Sequence, residues 1–150
     1  MKKLLLFFGL LLGVVFTSAA QAPNKDLFKA VMKNDAAAVE TLLKGGADAN
    51  AAIEVMPGFK TTYLITAVTN GNLDIVKKLV QYKAQVNAKD AGQETALMAA
   101  AAKGDKAMVE FLLASGADPK ATDSQGNTAL NAAKTGGNKD VISLIEQKSK

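Results

Sequence analysis

Fourteen carboxylates are the first candidates for acid–base chemistry in this chain. Its 150 residues include no histidine and no cysteine, which excludes the common nucleophile–base pairs, zinc sites and thiol chemistry. Two facing carboxylates could still share general acid and base roles. The acidic residues instead have places in a repeating pattern. Asp48 and Asp118 follow apolar-periodic stretches and are expected to end helices. Asp90 and Asp123 sit in turn-rich segments, and Asp74 and Asp105 stand where helices should open, near the favourable positive end of the peptide dipoles. There is no Asp-x-Asp-x-Asp-Gly loop for calcium. Gly45-Gly46 and Gly136-Gly137 follow no predicted strand, so helix termination accounts for them better than phosphate binding. No catalytic residue, cofactor or metal is expected, and the chain reads as a binding protein rather than an enzyme.

Charge narrows the partners. All eighteen basic residues are lysine, against fourteen acids, a formal net charge of +4. No arginine is available for bidentate contacts to phosphate or guanine. The lysines are scattered, whereas nucleic-acid binding needs a concentrated basic stripe.

The N-terminus reads as an export signal. Met1-Lys2-Lys3 is a positive lead, Leu4 to Phe16 is an unbroken apolar run, and TSAAQA supplies small residues for cleavage after Ala20. Thirteen apolar residues fall short of the roughly 20 that cross a bilayer. The expected organisation is a cleaved signal at 1–20, a linker at 21–25 and one folded domain at 26–150. Loss of Lys2 and Lys3 leaves sixteen lysines against fourteen acids, a nearly neutral product. The short, lysine-led signal points to the bacterial periplasm, with no membrane attachment after cleavage.

These scattered groups are positioned by a repeat. Thr62, Thr95 and Thr128 are 33 residues apart, as are Gly71, Gly104 and Gly137, and Val76, Val109 and Ile142. Internal periods of this size signal stacked units that cannot bury their apolar faces alone. Each unit reads as a helix pair. A threonine caps the first helix, which runs about nine residues to a glycine stop. The second helix carries apolar residues at i, i+3 and i+4, as in Val109, Leu112 and Leu113. The segments 90–94 and 123–127 should form hairpin-like turns. An earlier, degenerate unit carries Asn34 in place of the glycine, since both tolerate the left-handed conformation that ends a helix. Four extra residues separate the first two units, within AAIEVMPGFK. The unit boundaries fall at about 26–57, 58–90, 91–123 and 124–150. The run Ala99-Ala100-Ala101 predicts close approach of a neighbouring backbone.

DSQGNTAL, AAAAKG, NLDIVKKLV and GADANA resemble the ankyrin repeat, and the resemblance spans about residues 26–148. It implies an all-α solenoid of about four L-shaped helix-pair repeats with short hairpin-like turns. Two family positions differ. Tyr63, Ala96 or Ala129 stands for the proline, and Ile65, Met98 or Asn131 for the histidine, so the histidine's hydrogen-bond network should be missing. The last helix has Glu146 where earlier units have Val80 or Leu113, as suits an outer, wetted face.

The resemblance also implies protein binding through the turn tips and the exposed ends of the first helices. Those positions are Met32 and Lys33, Thr69 and Asn70, Ala102 and Lys103, and Thr135 and Gly136, with Lys60, Glu94, Gln125 and Asn127 among the turn residues. The insertion adds Val55, Met56 and Phe59 around Pro57-Gly58, a turn signal that needs positive φ at the glycine. These three side chains either anchor an interface or fold back as core. The expected partner-binding set is therefore Val55, Met56, Phe59, Lys60, Thr69, Asn70, Glu94, Lys103, Gln125 and Asn127. The expected function is a monomeric periplasmic module that binds and inhibits or shields a cell-envelope enzyme, such as a peptidoglycan hydrolase, in self-protection or immunity. The alternative is a scaffold that stabilises an exported redox or stress enzyme.

Overall fold

The computed structural model describes residues 21–150, and the expected signal peptide lies outside the described residues. Eight helices and one short sheet are present among them: α1 (Gln21–Met32), α2 (Ala36–Lys44), β1 (Ile53–Met56), β2 (Phe59–Thr61), α3 (Tyr63–Thr69), α4 (Leu73–Gln81), α5 (Ala96–Lys103), α6 (Lys106–Ala114), α7 (Ala129–Gly136) and α8 (Lys139–Lys148). Residues 21–25, expected as a linker, are the opening of α1. Pro23 is tolerated there because a helix's first turn has no intrahelical acceptor for its N–H groups.

The helices pair in sequence: α1 with α2, α3 with α4, α5 with α6 and α7 with α8. The first members then pack in succession, α1 on α3, α3 on α5 and α5 on α7, while α2 meets α4 and α6 meets α8 behind them. The 33-residue spacing becomes a column of core residues, with Leu79, Leu112 and Ile145 fully buried. Glu146, one residue on, is exposed.

Local signals set each helix. The Thr62 hydroxyl accepts the Ile65 N–H at 3.0 Å, and the Thr95 hydroxyl accepts the Met98 N–H at 3.3 Å. Thr128 differs, because its hydroxyl and its N–H both donate to Asn131 Oδ1, each at 2.9 Å. The hydrogen-bond network expected to be missing is thus partly remade in the last pair, by an amide in the histidine's place. The first helices α3, α5 and α7 are seven or eight residues long, slightly shorter than expected. The break after the first helix is left-handed at every equivalent position, at Asn34 (φ 57°), Gly71, Gly104 and Gly137.

Alanine sets the spacing between α5 and α7. Ala99, Ala100 and Ala101 are buried, and Gly136 of α7 lies against the backbone at the end of α5. A Cβ built there would run into the Ala102 carbonyl oxygen and lie 3.1 Å from that of Ala101. Gly136 is therefore a contact glycine and Gly137 the helix stop, a division that helix termination alone does not explain.

The largest departure from an all-helical reading is at the insertion. Residues 53–61 form an antiparallel β-hairpin that pairs Ile53 with Thr61, Glu54 with Lys60 and Met56 with Phe59, with a bulge between Glu54 and Met56. The four extra residues give the arms length to pair, and Ile53, Val55, Phe59 and Thr61 favour extended backbone. Gly58 takes φ 80° as the turn requires, and Glu54 Oε1 accepts the Gly58 N–H at 2.7 Å, closing the loop from within.

Candidate protein-docking face

The hairpin sorts its own side chains. Ile53 at its base is buried in the common core. Val55, Met56 and Phe59 are 43%, 60% and 45% exposed, and with Met32 they are the large apolar residues left uncovered among the described residues. Of the two fates open to these side chains, folding back as core is the one the structure does not take. Alternation along a strand sends successive residues to opposite faces, and the bulge gives Val55 no opposite number in the pairing with β2. Such bulges commonly re-aim side chains at sheet edges.

The turn tips continue from the hairpin. The Lys60 carbonyl accepts the Ala91 N–H at 2.8 Å, and the Gly92 carbonyl accepts the Ser124 N–H at 3.0 Å. Each tip is built by one aspartate. Asp90 Oδ1 accepts the N–H groups of Gly92 and Glu94 at 2.8 and 2.9 Å. Asp123 Oδ1 accepts those of Gln125 and Asn127, both at 2.8 Å. The Asn127 hydrogen bond leads the set that holds the Asp123 carboxyl below the usual range. Partial burial, reinforced by the charges of Asp90 and Asp123, pushes the Glu94 carboxyl up. Asp90 and Asp123 are structural turn formers, and no group of three or more potential metal ligands gathers among the described residues.

The expected binding residues divide by duty. Val55, Met56 and Phe59 come together on the hairpin, with the exposed Lys60 beside them in β2. Thr69 and Lys103 also meet, because Lys103 Nζ donates to the Thr69 carbonyl at 2.8 Å. Asn70 Nδ2 donates to the Val31 carbonyl at 3.2 Å, and Asn127 Nδ2 to Asp123 Oδ2 at 3.2 Å. Asn70, Lys103 and Asn127 thus tie the fold together, while Gln125 is exposed and Glu94 half-buried. The ends of the first helices form one connected edge, from Val31 through Asn70 and Thr69 to Lys103.

Two structural devices are not evident from the repeat pattern alone. Asn50 donates to the Lys83 carbonyl at 2.9 Å and accepts the Gln85 N–H at 2.8 Å. Asn87 does the same with the Gly116 carbonyl at 3.0 Å and the Asp118 N–H at 2.8 Å. One asparagine amide thereby straps the first helix pair to the second and another the second to the third, which explains the Asn of GADAN; Lys120 stands at the corresponding place in the third. The signal was present in that motif, but spacing alone could not supply the bonding partner. The second device is a charge cluster, with Glu40 2.7 Å from Lys44 and 2.6 Å from Lys78 of the neighbouring pair. Hydrogen bonds from Lys44 and Lys78, with their charges, hold the Glu40 carboxyl down at about 2.

Helix pairs, left-handed breaks and asparagine straps recur along the chain, and the threonine caps and aspartate-built tips keep the 33-residue period. Residues 27–123 match the family model for ankyrin repeats in three copies. The chain belongs to the ankyrin-repeat family. A search of the curated proteins returns no match. As an ankyrin-repeat protein it is a protein–protein interaction module, and such repeats are in general not catalytic. The match ends before α7 and α8.

Proposed function

We propose that this ankyrin-repeat protein acts in the periplasm by docking on a cell-envelope enzyme through its hairpin and turn tips, and that it blocks or shields that enzyme's active-site cleft. The observation that carries the docking surface is the exposure of Val55, Met56 and Phe59 on one internally braced hairpin. Large apolar side chains clustered on a rigid projection suit the buried anchors of interfaces. The compartment is supported by the sequence alone, through Lys2-Lys3, the apolar run from Leu4 and the small residues before Gln21. A peptidoglycan hydrolase is the partner class favoured by that compartment, with self-protection or immunity as the role. In this reading α7–α8 is a fourth, terminal repeat of a monomeric solenoid, whose outer face carries Glu146 to water.

The test begins with the exported protein, whose N-terminus should be at Gln21 after osmotic release. A tagged form retrieves its partner from the periplasm, and the purified partner is assayed on peptidoglycan with increasing amounts of the ankyrin-repeat protein. Stoichiometric loss of hydrolysis supports the proposal. A partner whose activity is preserved or raised would make the protein a scaffold instead. A retained Met1 on a membrane-bound product would remove the periplasmic assignment.

A further inference from the structure

Among the described residues the methionines are divided between the interior and the exposed surface. With no cysteine in the chain, methionine is its sole sulfur side chain. Met98 and Met108 are 3% and 1% exposed and lie in α5 and α6, whereas Met56 and Met32 (53% exposed) are open to solvent. Met56 pairs in register with Phe59 across the hairpin, and both are exposed.

We infer that Met56 is an oxidation site whose sulfoxide turns the hairpin from an apolar docking surface into a polar one without unfolding the stack; its effect on binding rests on the docking role proposed above. The co-reactant is a two-electron oxidant of the peroxide class. The thioether sulfur attacks one peroxide oxygen and the O–O bond breaks. Sulfur gains that oxygen and is oxidised by two electrons, while the other oxygen leaves as hydroxide and becomes water by taking the proton that the transferred oxygen gives up. The product is polar and chiral where the thioether was flexible and apolar. The buried methionines need local opening before an oxidant reaches them, so the modification is directed by the fold. A bound partner that covered the hairpin would also protect Met56.

The experiment uses the full mature protein carrying Met32→Leu, which leaves Met56 as the exposed methionine of the described residues. Hydrogen peroxide is the oxidant, peptide mass spectrometry follows each methionine, and retention on a phenyl resin reports the apolar surface. Met56 should oxidise roughly tenfold or more faster than Met98 and Met108, since a local opening cost of only about 1.4 kcal/mol is already a factor of ten. Retention should shorten in step with Met56 oxidation, the melting transition should persist, and a further Met56→Leu substitution should abolish the shift. Oxidation of all three methionines at one rate, or loss of the melting transition as Met56 oxidises, would overturn the inference. Binding to the captured partner separates the two readings. Loss of binding with Phe59→Ala but not with oxidised Met56 defeats the oxidation effect alone. Binding that survives Phe59→Ala, Met56→Gln and oxidation defeats the docking role itself.

Discussion

At the scale of single residues, the most informative positions are those where a side chain occupies a place built for glycine. Lys83 and Gln93 have φ of 68° and 62°, and the residues 33 positions later are Gly116 and Gly126 in the same left-handed conformation. A residue with a Cβ gives up about 1–2 kcal/mol there, and glycine returns about 0.4–1 kcal/mol of that through its freer unfolded chain. Lys83→Gly should therefore raise stability by about 0.5–1 kcal/mol in urea denaturation. It leaves the exposed second-helix end and the carbonyl bonded to Asn50 in place. No local signal marks lysine or glutamine for a left-handed turn, so these exceptions are evident only from the structure. Glu40 offers a pH test. Its folded carboxyl titrates at about 2 against an ordinary 4.5, because Lys44 and Lys78 hydrogen-bond to it. A depressed carboxyl contributes stability that is fully present above the unfolded value and is lost as pH falls through the folded one. Stability should therefore decline between about pH 4.5 and 2. Glu40→Gln should flatten that part of the melting-temperature profile, and the difference should shrink in high salt.

At the scale of elements, the helices follow from short signals and the hairpin from a conflict between them. Threonine caps, the small-residue run and the glycine stop are local, so every helix pair from α3 onward was readable from spacing. The hairpin was read only as a longer turn. Its strands are four and three residues long, too short for alternation to stand out, and their pairing depends on Glu54 reaching the Gly58 N–H. Residues 21–25 resemble a linker in sequence because they are polar around a proline, while Asn24 in fact holds the Tyr63 hydroxyl at 2.8 Å and the Asp48 N–H at 3.1 Å. The contact between α5 and α7 gives a sharp prediction. Gly136→Ala sets a methyl against the Ala101 and Ala102 carbonyls, and backbone cannot give way as a flexible side chain can. The substitution should cost about 1–3 kcal/mol by overpacking, measurable by urea denaturation. Gly136 has no positive φ to confound the result, unlike its neighbour Gly137.

At the scale of the whole molecule, stability and recognition reside in different places. The stack is held by small residues where first helices meet, by apolar columns behind them and by asparagine straps between pairs. Ala100 is fully buried within α5, so Ala100→Leu should lower stability by about 1–3 kcal/mol; an unchanged denaturation midpoint would mean that the alanine stripe does not set the spacing. The hairpin can be altered separately, because closing a longer loop adds little entropy cost and its apolar side chains are uncovered. Sequence could mark the insertion as unusual, since four residues break an otherwise regular period. It could not decide whether Met56 and Phe59 turn in or out, because apolar character suits either fate. Nor do the residues name the partner, for recognition resides in a surface whose complement is on another molecule. The direct test is the double variant Met56→Ala with Phe59→Ala, compared with the unsubstituted protein in calorimetric titration against the captured partner and in thermal melting. Affinity should fall by about 2 kcal/mol or more, the range of buried interface anchors, while the melting temperature changes little; intact affinity with a large loss of melting temperature would show that the hairpin serves the fold and not the interface.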